Sequence, residues 1–156
     1  MIRSIVRVTG VAILALQLAV GHGPAHATGE TPANAAPRDS VVPSRSCVDD
    51  FERAVQPILN LKCVQCHQTA GPDGGLALQG GGTAERIVLM PSRGAPLNLI
   101  EPGRPDESYL FLKITGRQLE AGGAGARMPL IGPMLSEAQI DTIRSWIEGC
   151  SVAAGN

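Results

Sequence analysis

Aromatic residues are scarce in this chain. Phe51, Tyr109, Phe111 and Trp146 are the full set in 156 residues. Together with long glycine-rich stretches, this leaves too little bulky apolar surface to complete a core from side chains alone. A charge surplus of either sign is also lacking. Thirteen Lys and Arg stand against fourteen Asp and Glu, for a net charge of −1. No basic patch forms, so nothing points to nucleic acid as a partner. The chain has three histidines and four cysteines. No apolar run approaches the roughly 20 residues of a membrane-spanning helix, and no internal repeat is evident.

The first 27 residues have an ordered composition. "MIRSIVR" carries Arg3 and Arg7 and no acid, "VTGVAILALQLAV" is uncharged, and Ala25-His26-Ala27 is small-x-small. Basic, apolar and small residues in that order describe a secretory signal peptide over 1–27, removed after about Ala27. An uncleaved anchor is the alternative. No cysteine just past the apolar run offers a lipid anchor. Removal would take His22 and His26 and leave His67 as the single histidine. Residues 28–46 are rich in Pro, Ala and small polar residues and read as a disordered linker. The folded domain is expected over 47–150 with a short tail at 151–156. The expected place is the periplasm, with no membrane span in the mature chain.

Helices are expected around long loops. Cys47 to Lys62 reads as two helical pieces, the first capped by Asp49 or Asp50 and the second restarted at Pro57. Gln68 to Leu99 reads as loop with at most one brief strand. "PGRPDESYLFLKITG" opens a helix near Pro105 or Asp106 and stops at Gly116. "RQLEAGGAGARMPLIGPML" is loop by composition. Ser136 and Gln139 form a capping box, and Ile140, Ile143, Trp146 and Ile147 line one face of the helix that follows. The fold class is all-α, with three to five short helices and long Gly-rich loops.

The chemistry lies in "NLKCVQCHQTAG", which holds Cys63, Cys66 and His67. A redox dithiol of this spacing belongs beside a βαβ pattern, which is absent. A structural zinc site needs four ligands, so it would require Cys47 and Cys150 as well, or three cysteines with His67. A Cys63–Cys66 disulfide would leave His67 idle. Attachment of one haem uses all three: two thioether links from the thiols and a proximal iron bond from the imidazole. A covalent ring would also supply the missing apolar centre. The sixth ligand to iron is then sought among Met90, Met128 and Met134, whose bland reading is packing. Met128 is preferred, after a flexible "AGGAGA" stretch and before Pro129. Met90 comes second. A thioether there raises the reduction potential and closes the iron.

Cys47 and Cys150 flank the domain. Domain ends often meet, and an oxidising compartment favours a disulfide between them; two free thiols are the alternative. Leu76, Leu78, Tyr109, Leu112 and Leu130 are candidate wall residues, and Arg127 either meets a haem propionate or is solvated.

These residues resemble class I cytochrome c, and more closely the planctomycete-type cytochrome c domains. The likeness rests on "VQPIL", Cys63-Val64-Gln65-Cys66-His67, "GGLAL", "PGRPDESYL", "KITG", "RMP", "GPMLSEAQI" and "IRSWIEGC", in that order from about Val55 to Cys150. The resemblance implies a small cytochrome c fold with one covalent haem c, thioether links at Cys63 and Cys66, and iron held by His67 and Met128. It implies crossing first and last helices, which would bring Cys47 and Cys150 together. It implies an electron carrier rather than an enzyme, working with redox partner proteins as a monomer or as a subunit of a larger complex. The alternatives are a permanent subunit of a dehydrogenase or respiratory complex, and a haem enzyme or gas sensor with an open sixth position.

Overall fold

The computed structural model describes residues 40–155. The signal peptide expected at 1–27 and most of the linker expected at 28–46 lie outside the described residues. The last part of that linker is ordered. Val41–Pro43 forms β1, and Arg45–Asp50 forms α1. The α1 cap is Ser44, whose Oγ accepts from the Cys47 backbone N–H at 3.2 Å, in place of the expected Asp49 or Asp50.

The two expected helical pieces are joined. Phe51–Val55 is a π-helical stretch, and α2 runs Gln56–Lys62 with Pro57 in its first turn. Proline has no N–H, and its ring displaces the carbonyl four residues back. The wider π turn absorbs that mismatch, with the Gln56 N–H reaching back to the Phe51 carbonyl. The helix therefore carries straight into the Cys63 segment.

Two further features depart from expectation. Thr83–Ile87 forms α3 inside the segment read as loop. Val152–Ala154, in the expected tail, forms β2 and pairs antiparallel with β1 in the register Val41↔Ala154, Val42↔Ala153, Pro43↔Val152. The fold is helix-dominated as expected, with the addition of one two-stranded ribbon.

The other helices follow their sequence signals. Pro105–Glu107 is a single 3₁₀ turn leading into α4, Tyr109–Thr115. Gly116 ends α4 at φ 80°, a backbone conformation open to glycine at little cost. Gln118–Ala121 makes another 3₁₀ turn, inside the segment read as loop, and α5 runs Glu137–Gly149. Both halves of the Ser136–Gln139 capping box are present, at 3.0 and 3.3 Å.

α5 packs across α1 and the π-helical stretch. Phe51, Phe111, Ile143 and Ile147 are fully buried there, each contributing about 1.5–3 kcal/mol by burial. The Phe51 and Trp146 rings meet at 5.0 Å, and Trp146 Nε1 donates to the Cys47 carbonyl at 2.9 Å. Cys47 and Cys150 are bonded, with Cα atoms 4.7 Å apart across a separation of 103 residues. Among the described residues no helix is long and apolar enough to cross a membrane.

Candidate functional site

The end of α2 builds the site. Cys63 N–H donates to the Leu59 carbonyl at 2.8 Å, and the His67 and Cys66 N–H groups both donate to the Cys63 carbonyl, at 3.0 and 3.2 Å. That extra turn brings residues 63, 66 and 67 within a single turn of the chain. Cys63 is half-buried, Cys66 is exposed, and neither is bonded to another cysteine. Burial, followed by the nearby Cys66, pushes the Cys63 thiol up to about 11. Lys62 opposes this weakly.

His67 is oriented by a loop that sequence reasoning did not assign to it. Its Nδ1 lies 3.1 Å from the Asp73 carbonyl and 3.1 Å from the Leu76 carbonyl. A carbonyl only accepts, so Nδ1 carries a proton, and in the neutral imidazole Nε2 is then the nitrogen with the lone pair. Metal-ligating imidazoles are commonly held this way, one nitrogen on a backbone carbonyl and the other free for the metal. Gly74 and Gly75, at φ 62° and 71°, turn the chain back over His67. The Asp73 N–H on the Cys66 carbonyl at 3.1 Å and the Leu78 N–H on the His67 carbonyl at 2.8 Å staple the turn at both ends. The signal was "PDGG", a turn composition whose target could not be seen locally.

Met128 sits on a separate segment, and "AGGAGA" is fastened rather than flexible. Lys113 Nζ donates to the Ala124 and Ala126 carbonyls at 3.2 and 2.6 Å, and Gln118 Nε2 to the Gly125 carbonyl at 2.8 Å. Met128 N–H donates to the Lys113 carbonyl at 2.9 Å, and Arg127 Nε to the Ile114 carbonyl at 2.8 Å. The Tyr109 ring packs so tightly against the Gly94 and Gly123 backbones that a Cβ on either glycine would meet it at 2.8 or 2.6 Å. Met128 is half-buried and outside the main apolar cluster. Met90 and Met134 are 46% and 42% exposed. Lys62 Nζ, donating to the Pro133 carbonyl at 3.3 Å, ties the end of α2 to the loop beyond Met128.

Of the candidate wall residues, Leu76 is half-buried and Leu78 belongs to the main core. Tyr109 and Leu112 are buried outside that core, and Leu130 is exposed. Leu130 and its neighbours Ile131 and Met134 present large apolar side chains to solvent, an unusual concentration for a short loop. Shallow depressions of about 360 Å³ around Asn98 and about 620 Å³ around Asp141 include none of Cys63, Cys66, His67 and Met128.

The donor set separates the readings of the motif. Zinc with all four cysteines is incompatible with Cys47 and Cys150 being bonded to each other. Among the described residues no group of three or more His, Cys, Asp or Glu side chains gathers to hold a metal ion. Cys63 and Cys66, both unbonded, and His67 lie within one turn of the chain, the spacing that a haem c attachment requires. Comparison with protein-family models finds no match, and comparisons with curated proteins and with solved structures find none either.

Proposed function

We propose that the chain is an exported single-haem c-type cytochrome that carries single electrons between redox partner proteins. The observation that carries this reading is His67, whose Nδ1–H is bound to two carbonyls while Nε2 is left for iron, one residue from an unbonded Cys66 and one turn from an unbonded Cys63. The bound haem supplies the electron chemistry by alternating between ferric and ferrous iron. The protein's part is to hold and tune it. Cys63 and Cys66 provide the thioether links. The Asp73 and Leu76 carbonyls increase the electron donation of His67. Met128 provides a soft thioether on a loop fixed by Lys113, Gln118 and Tyr109. The Cys47–Cys150 bond accords with an oxidising compartment.

Absorption spectra of both oxidation states test the proposal. The expected result is covalent haem with a low-spin six-coordinate spectrum that carbon monoxide does not change. A high-spin spectrum, or one that shifts with carbon monoxide, would overturn electron transfer in favour of an open sixth position. Met128→Ala is expected to abolish the methionine–iron charge-transfer band and Met90→Ala to keep it. The opposite pattern would move the sixth ligand to Met90.

A further inference from the structure

The stretches "VQPIL" and "GGLAL" contain none of the haem-attaching groups, yet one side chain joins them. Gln56 is 5% exposed. A primary amide that deep needs its hydrogens satisfied. Its Nε2 donates to the Leu78 carbonyl at 3.0 Å and to Asn60 Oδ1 at 2.7 Å. Both partners are acceptors, so the amide nitrogen must face them, and Oε1 is left with no partner. Leu78 in turn donates its N–H to the His67 carbonyl at 2.8 Å. The Leu78 residue is thus gripped from its carbonyl by Gln56 and from its amide by His67. Two residues earlier lies the Leu76 carbonyl that receives His67 Nδ1–H. Thr83 Oγ1 is 3.5 Å from the Leu78 carbonyl, but its closer partner is the Gly80 carbonyl at 2.6 Å. Gln56 therefore makes the stronger contact to Leu78.

We propose that Gln56 is a positioning residue for His67. It fixes the loop 73–78 against α2, so that two carbonyls stay on Nδ1 and Nε2 remains the basic nitrogen. Its effect on iron rests on the haem reading above; its effect on the imidazole tautomer does not. Without this donor the Leu78 carbonyl loses its tether, the loop moves away from the ring, and the ring proton is shared between the two nitrogens. A less electron-donating imidazole then favours ferrous over ferric iron.

The test uses the full chain with Gln56→Leu, which keeps the bulk and removes the donor, and Gln56→Met as a second, unbranched replacement. In the haem-loaded ferrous protein, the Nδ1–H of His67 is expected to exchange with solvent about tenfold faster in both variants, and the reduction potential to rise. In chain purified without haem, nitrogen-15 spectra of the imidazole are expected to move from one tautomer to a mixture. Asn60→Ala leaves the Leu78 bond in place, and Ile143→Val weakens the core elsewhere. Both are expected to leave the His67 signals unchanged. Unchanged exchange and tautomer in both Gln56 variants, or an equal change in Ile143→Val, overturns the proposal. A chain that never takes up covalent haem removes the cytochrome reading instead, and the tautomer measurement still decides the role of Gln56.

Discussion

Replacing Cys47 and Cys150 by alanine gives the most quantitative test of how the fold is held. The bond closes a loop of 103 residues. Opening a loop of about 100 residues returns chain entropy to the unfolded state worth about 4.7 kcal/mol at 25 °C. Native contacts change less. Cys47 and Cys150 are buried, at 2% and 6% exposure, but the Cys47 carbonyl still receives Trp146 Nε1, and β1 still pairs with β2. The double variant is therefore expected to lose about 4–5 kcal/mol in urea unfolding, with a steeper m-value because the uncrosslinked chain expands further. Against a total of about 5–15 kcal/mol this leaves a marginal but folded protein. Each single variant also breaks the bond, so each should lose nearly as much as the pair, giving a large coupling energy. Two small, additive single losses would show that the residues act only as buried packing, and would refute the crosslink reasoning.

Three other outcomes are expected. In chain without haem, alkylation at neutral pH should label exposed Cys66 first, because raising Cys63 from 9.0 to about 11 cuts its thiolate about a hundredfold; since the folded state binds that proton more tightly, its stabilising contribution is present below pH 9 and lost as pH rises towards 11, so a stability that climbs between those values as the thiol titrates would contradict the burial. Gly123→Ala puts a Cβ 2.6 Å from the Tyr109 ring and 2.8 Å from the Gln118 carbonyl, and should cost about 1–3 kcal/mol in chemical unfolding, while Gly81→Ala, with open space around it, serves as the near-neutral control. Ser136→Ala removes the cap of α5 and should cost about 1 kcal/mol by thermal unfolding; an unchanged midpoint would mean the capping box contributes nothing.

What could be read from the sequence was local. The Ser136–Gln139 box and the Gly116 stop each involve residues within a turn of one another, and both stand where the composition placed them. Cys63, Cys66 and His67 share one turn for the same reason. What escaped is pairing across distance or elements too short to show a period. α3 spans five residues and is entered from Gly82 in a left-handed conformation, with no polar side-chain cap to announce it. β1 and β2 have three residues each, too few for alternation to register. Pro57 signalled a break, and only the π-helical widening before it shows why the helix continues. The bond from Gln56 to Leu78 spans 22 residues, and no spacing rule connects a glutamine in a helix to a carbonyl that far downstream.

The ribbon of β1 and β2 also has a mechanical consequence. The Ser44 N–H reaches the Ser151 carbonyl at 2.9 Å, and Cys47 and Cys150 are joined just inside it. A force that pulls on the chain at residues 40 and 155 loads first the ribbon and then one sulfur–sulfur bond. The 102 residues between the bonded cysteines sit outside the line of tension. The turn that carries His67 and the loop that carries Met128 both lie within that unloaded length. Tension applied at the two ends of the domain is thus carried past the proposed haem site rather than through it.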